Sequence, residues 1–183
     1  MKRLPNTAYA VLGLLISKEA KSGYEVRKSA ETLRYFYWSP AQSQIYSELR
    51  RLAALNYVTS ELVPQRGKPD KRLYQITTAG VDAFTNWVNH AQLEPTMMKH
   101  AVQLRLFFGE SAETEHLTAL LQQYIDESTQ ALGQIAIVRE FSELDEAYRW
   151  RGVVAAWSEA RLEAEVEFAT NLLRQLQAGE LSS

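Results

Sequence analysis

The chain has 183 residues, 46% of them apolar, and its 20 Lys/Arg against 22 Asp/Glu give a net charge of −2, which leaves room for one large domain or two small ones with a real core. It has no cysteine, which excludes a disulfide framework and thiolate metal ligation and fits a reducing cytoplasm. No run approaches the roughly 18 apolar residues of a membrane span. The net charge hides a split: residues 1–80 carry 13 Lys/Arg and 6 Asp/Glu, net +7, and residues 81–183 carry 7 and 16, net −9. A basic half joined to an acidic half fits a polyanionic partner for the first half alone; uneven surface charge without a partner gives the same counts.

The opening MKRLPNTAYAVLGLLISKEA has the basic start and apolar run of a secretory leader. Ala8, Val11, Leu12 and Leu15 are nonetheless helically spaced, polar residues follow at once, and no small-x-small cleavage site is present. The segment therefore predicts a short helix over Asn6–Ile16, capped by Asn6 or Thr7. Ser17–Lys21 reads as a polar break. Ser22-Gly23-Tyr24-Glu25 opens a second helix with an S-x-x-E capping box. Val26, Ala30 and Leu33 point inward and Arg27, Lys28 and Arg34 outward. That outer face is either merely solvated or, near Ser22 and Tyr24, a phosphate site at a helix N-terminus.

Tyr35-Phe36-Tyr37-Trp38 follows, four aromatics that either plug the core or wall a cavity for an aromatic effector. Ser39 then caps a third helix, with Pro40 in its first turn and Gln42 completing an S-x-x-Q box. Ile45, Leu49 and Leu52 form its buried stripe. Ser43, Tyr46, Ser47 and Arg50 lie on the opposite face. The helix ends near Asn56, a residue tolerant of the left-handed C-cap.

Tyr57–Pro64 alternates as a strand, with Val58, Ser60 and Leu62 on one side. Gln65–Lys71 is a turn punctuated by Gly67 and Pro69, and Arg72–Ile76 is the return strand with Tyr74 and Ile76 on the core side. Arg66, Lys68, Lys71 and Arg72 face a single acid there, Asp70. Thr77 or Thr78 caps a fourth helix with Val81, Phe84, Trp87, Val88 and Ala91 inward. Three helices, a hairpin and a further helix in this order form a winged helix-turn-helix, whose third helix enters a DNA groove while the hairpin grips the backbone.

Gln92–Thr96, containing Pro95, marks the boundary between a first domain at 1–92 and a second at 97–183. Met97, Ala101, Leu104 and Phe108 mark a helix ending at Gly109. A long helix runs from Ala112 to about Phe141 with Leu117, Leu121, Tyr124, Ala131, Ile135 and Val138 on a stripe. After a break at Ser142–Asp145 another runs to about Ala178, with Trp150, Val154, Trp157, Arg161, Ala164 and Phe168 on its stripe, continued by Leu172 and Leu176. These two helices pair as an αα-hairpin of coiled-coil type. Their apolar faces are too wide for two helices to cover, so the surplus meets a second copy of the chain or folds back on the first domain.

No pattern for catalysis is present. His90, His100 and His116 make no metal-ligand spacing and read as solvated side chains. Glu163, Glu165 and Glu167 alternate along one helix and do not converge. No G-x-S-x-G or phosphate-binding glycine loop occurs. The expectation is a protein that is not an enzyme, with no metal and no cofactor.

Five stretches together resemble the PadR family, the phenolic-acid-decarboxylase regulators. They are AVLGLL (Ala10–Leu15), SGYEV (Ser22–Val26), YFYWSPAQSQIYSELRRL (Tyr35–Leu52), KRLYQITTAG (Lys71–Gly80) and the long C-terminal helices. The likeness runs over essentially the whole chain, and the order and spacing of the pieces carry it. One departure is Asn56, where the family usually has Gly; Asn tolerates the same backbone. The resemblance implies a mainly α fold with a small β-hairpin, an N-terminal winged helix-turn-helix and a C-terminal helical dimerisation domain. Family members are usually repressors, often released by small molecules, and the branch with the long helical C-terminal domain includes phenolic-acid sensors and a virulence-gene activator.

By carry-over, Gln42, Ser43, Tyr46 and Arg50 are the recognition-helix candidates and Arg66, Lys68, Lys71 and Arg72 the wing candidates, with Tyr24 beside them at the second helix. Tyr35, Trp38 and Met98 are the effector candidates. The expected protein is a cytoplasmic homodimer that reads a pseudo-palindromic operator in double-stranded DNA and is released by a small aromatic effector, with no membrane association. The alternatives are an activator that needs no ligand and a helical protein–protein adaptor; an adaptor does not need a basic half.

Overall fold

The computed structural model describes residues 4–36, 38–65, 67, 70–92 and 99–181. The chain divides into two compact units, Met1–Glu94 and Pro95–Ser183.

The first unit runs α1 (Asn6–Leu14), β1 (Lys21–Ser22), α2 (Gly23–Glu31), a 3-10 turn (Thr32–Phe36), α3 (Gln42–Ala54), β2 (Val58–Val63), β3 (Lys71–Ile76) and α4 (Thr78–His90). Its core joins one face of each helix to the sheet: Leu12 and Leu15, Val26 and Ala30, Ile45, Leu49 and Leu52, with Val58, Tyr74 and Ile76 beneath. Burying each of the larger aliphatic side chains contributes about 1.5–3 kcal/mol. Tyr9 stacks on Trp87 at 4.9 Å and 8°, which fixes the roll of α4 against α1. That roll turns Val88 out to solvent, and Ala91 lies past the helix end in extended backbone, so neither is the core residue expected.

Several local expectations hold. Ser22 closes a full capping box with Glu25, Thr77 Oγ1 accepts from Gly80 N at 3.1 Å, and Asn56 is left-handed at φ 57°. Three do not. The N-cap of α1 is Pro5, without a side-chain cap, rather than Asn6 or Thr7. Helix α3 starts at Gln42 after an extended Ala41 (φ −60°, ψ 146°), and it is Gln44 Oε1 that accepts from Ala41 N, at 3.0 Å. With Ala41 still extended, the first helical turn lies beyond the reach of the Ser39 side chain, so Ser39 cannot cap it. Finally, the Ser17–Lys21 break is partly strand. After a left-handed Lys18, β1 pairs Lys21 with Tyr74 and Ser22 with Leu73, giving an antiparallel sheet of order β1-β3-β2 rather than a bare hairpin. Two residues are too few to show period-2 alternation.

The second unit runs α5 (Ala101–Phe107), a 3-10 turn (Gly109–Ser111), α6 (Thr114–Glu143), a second turn (Glu146–Tyr148) and α7 (Arg149–Gln177). Helices α6 and α7 are antiparallel and about 45 Å long at 1.5 Å per residue. One end of the hairpin packs Leu117 and Leu121 against Ala169, Leu173 and Leu176, with Val102 and Leu106 of α5 alongside. Toward the other end the buried face of α7 is Ala155, Ser158 and Leu162. A Cβ added to Gly152 would stand 2.3 Å from Ser142 Oγ, so the helices approach there too closely for any side chain at 152.

The expected stripe of α7 is therefore mostly not its buried face. Trp150, Trp157 and Phe168 are 70%, 75% and 67% exposed within the single chain, and only Leu172 and Leu176 of that stripe turn inward. Leu104 of α5 and Phe108 just past its end are exposed while Val102 and Leu106 pack; Met97 lies outside the described residues. Among the described residues no helix is long and apolar enough to cross a membrane.

Candidate nucleic-acid interface

The outer face of α3 follows from the burial of Ile45, Leu49 and Leu52 on the inner one. Gln42, Ser43, Ser47 and Arg50 are exposed, so an amide, two hydroxyls and a guanidinium share one ridge. Tyr46 is different. It is half-buried, and its Cε1 lies 2.5 Å from where a Cβ on Gly23 would stand. The Cε1–Cδ1 edge of its ring abuts the first turn of α2, so α2 and α3 meet through glycine. Tyr46 thus presents only part of its ring beside Arg50.

Helix α2 contributes a second edge. Tyr24 is 58% exposed at its N-terminus, with the Arg27 guanidinium 5.1 Å from the ring centre and bridged to Glu31 at 2.7 Å. Ser22 N donates to Glu25 Oε2 at 2.7 Å and Glu25 N donates to Ser22 Oγ at 3.2 Å. Lys71 Nζ, on β3, reaches the same carboxylate at 3.3 Å. The Ser22 hydrogen bonds first, and then Lys71, hold the Glu25 carboxyl well below the usual range, at about 2.

The wing is the β2–β3 hairpin, registered from Val58↔Ile76 to Val63↔Lys71. Gly67 at its tip takes φ +72°, a conformation that excludes most side chains. Arg72 Nη1 donates to Ser60 Oγ across the strands at 3.3 Å, so this cation lies along the sheet. Arg66 and Lys68 fall outside the described residues. Tyr24, Gln42, Ser43, Tyr46, Arg50, Lys71 and Arg72 all lie in the first unit on α2, α3 and β3. Two couplings were missed from sequence. Gly23–Tyr46 and Glu25–Lys71 join positions 23 and 46 residues apart, and the only local signal was a glycine directly after a capping serine.

Tyr35 and Trp38 are half-buried in the first unit, and Met98 lies outside the described residues. A cavity of about 310 Å3 lies in the second unit, between α5, α6 and α7. His100 is not a simple solvated side chain either. It caps α5, accepting from Gln103 N through Nδ1 at 3.2 Å, and stands 3.1 Å from the Tyr124 hydroxyl. Glu165 accepts from Tyr124 at 2.6 Å and from Arg161 Nε at 3.0 Å. Among the described residues no group of three His, Asp or Glu side chains is placed to hold a metal ion.

Residues 11–86 match the model of the transcriptional regulator PadR-like family. The negative transcriptional regulator PadR of Bacillus subtilis (strain 168) is 32% identical over 100 residues, 55% of this chain and 54% of that protein. The chain thus spans about half the length of the curated relatives it matches. In fold, it superposes on the crystal structure of Bacillus subtilis PadR in complex with operator DNA with a TM-score of 0.73 at 22% identity, covering 94% of this chain and 99% of that one. The same protein in complex with p-coumaric acid gives 0.66 at 22% identity and the same coverage. A PadR-like transcriptional regulator from Bacillus cereus gives 0.78 at 22% identity, covering 96% and 98%. These structures share the mainly helical fold with a small antiparallel sheet. The segment at residues 11–86 is thus similar to the PadR-like family of transcriptional regulators.

Proposed function

We propose that this protein is a sequence-specific DNA-binding regulator, a cytoplasmic homodimer that represses transcription and is released by a small aromatic effector. The observation that carries the reading is the polar outer face of α3, with Gln42, Ser43 and Arg50 exposed beside a basic wing, in the half of the chain with net charge +7. A major groove about 12 Å wide admits a helix of this kind. Arg50 is the guanine reader, bidentate to O6 and N7; Gln42 and Ser43 read neighbouring bases. Tyr46 contributes the free edge of its ring.

Lys71 and Arg72, with Arg66 and Lys68, hold phosphates and set a steep salt dependence. Tyr24 takes a phosphate at the start of α2. The relatives support this assignment: one is named a negative transcriptional regulator, and its structures contain operator DNA and p-coumaric acid. The first domain, 1–92, is the DNA-binding one, and 97–183 is the dimerisation domain. The outward Trp150 and Trp157 supply its apolar surface, since large exposed apolar side chains mark an association site. A two-fold pair then presents its α3 helices about 34 Å apart, one DNA turn, to a pseudo-palindrome.

A gel-shift titration with DNA from upstream of its own gene, repeated over a salt series, tests the reading. Specific binding should weaken steeply with salt, and Arg50→Ala should abolish discrimination between specific and random DNA while retaining a residual salt-dependent affinity. Equal binding of specific and random DNA by the wild type would sink it.

A further inference from the structure

The cavity of about 310 Å3 in the second unit has walls of Val102, Leu106, Leu121, Ala164 and Phe168. It is an open cleft and not a sealed void, since its wall residue Phe168 is 67% exposed and Gln103 and Ala164 at its rim are exposed as well. A dry cavity of about 150 Å3 accepts a benzene ring. This one has room for a substituted ring or for two.

Its polar side has a definite chemistry. His100 Nδ1 accepts from Gln103 N at 3.2 Å, so the neutral ring carries its proton on Nε2. Nε2 then donates to the Tyr124 hydroxyl at 3.1 Å, and that hydroxyl donates to Glu165 Oε2 at 2.6 Å. Arg161 Nε donates to the other carboxylate oxygen, Oε1, at 3.0 Å. Glu165 thus accepts from both Tyr124 and Arg161, and His100 Nε2 stands 3.9 Å from the same carboxylate. An incoming anion meets Glu165, and an incoming cation meets Arg161. Neither recovers the hydration it gives up. The groups are already committed to each other, so selection falls to shape and apolar contact, the usual division in small-molecule sites.

We propose that the α5–α6–α7 cavity binds a neutral, largely apolar molecule of one or two rings and selects against carboxylates. The proposal rests on the regulatory reading for its purpose, since the bound molecule is the effector. Its chemistry differs from that of p-coumaric acid, the ligand in the Bacillus subtilis structure.

The test is calorimetry on the full chain at neutral pH with two probes that share a ring and differ in charge: methyl p-coumarate and p-coumaric acid. The ester should bind at least tenfold more tightly than the acid. Ala164→Trp, at a position exposed on the helix surface yet lining the cavity, should weaken ester binding at least tenfold. The ester-to-acid ratio is measured on the wild type and does not depend on how the variant folds. Acid binding as tight as ester binding would overturn the proposal, as would an unchanged ester affinity in a folded Ala164→Trp. Absence of binding by both probes also overturns it and assigns the space to side chains of a second copy. A gel shift without ligand separates the two readings. Loss of DNA binding overturns the regulatory role and leaves the calorimetric result standing; normal DNA binding with no ester binding removes this site alone.

Discussion

In the first unit the large aliphatic residues at helical spacing are the ones removed from water: Leu12, Leu49 and Leu52 are fully buried. In the second, the tryptophans of α7 face outward, and the hairpin closes on Ala155, Ser158 and Ala169 together with Leu162, Leu173 and Leu176. The first unit completes its own core, so side-chain size and spacing decide burial. The hairpin needs small residues to bring two backbones together, and its aromatics are left for something outside the single chain. An apolar stripe therefore shows that a face will be covered, but not by which molecule.

The sharpest break of this contrast is Leu49→Ala. It removes a side chain that is 0% exposed and should cost about 2–5 kcal/mol, with a cavity left between α3 and α1. Urea denaturation should give this loss independent of protein concentration. Trp157→Ala is the matching change in the second unit. It should leave the helicity of the chain intact and instead weaken self-association by about 2 kcal/mol or more, roughly thirty-fold in the dissociation constant. Sedimentation over a dilution series separates the two. If Trp157→Ala lowers stability at every concentration and leaves association unchanged, the outward face is not an interface.

The same contrast governs what could be read in advance. Ile45, Leu49 and Leu52, the Ser22–Glu25 box and the left-handed Asn56 depend on residues within a turn or two of each other, and all of them were legible. The exposure of Gln42, Ser43 and Arg50 followed from the same spacing. The start of α3 was not, because a proline fits both the first turn of a helix and the extended segment before one, and only tertiary context chooses. Strand β1 exists only because β3 is beside it. The same holds for Tyr46, whose place is set by Gly23, and for His100, set by Tyr124 and Gln103. Periodicity within one helix carries no information about such partners.

Gly23→Ala probes one of these long-range couplings at smaller scale. The new methyl would stand 2.5 Å from Tyr46 Cε1, so the ring must swing off α2. The expected cost is about 1–3 kcal/mol from overpacking. Most of it should disappear in the Tyr46→Ala background, where no ring is in the way. A double-mutant cycle measures this, and a coupling near zero would mean that α2 and α3 do not meet through this contact.

The smallest expected effect concerns the link between α2 and the wing. Glu25 is held at about 2, below its unfolded value, so its contribution to stability is fully present above the usual carboxylate range and is lost as pH falls toward 2. Its side chain is 48% exposed, so the amount is under about 1 kcal/mol. Glu25→Gln should flatten the stability profile over that acid window and leave it nearly parallel to wild type at neutral pH. Lys71→Ala divides the cause. The Ser22 hydrogen bonds are the larger contributors, so most of the acid-window slope should survive loss of the lysine, and high salt should remove little of it. If Lys71→Ala flattens the profile as completely as Glu25→Gln, the ion pair to the wing and not the helix cap holds this carboxylate.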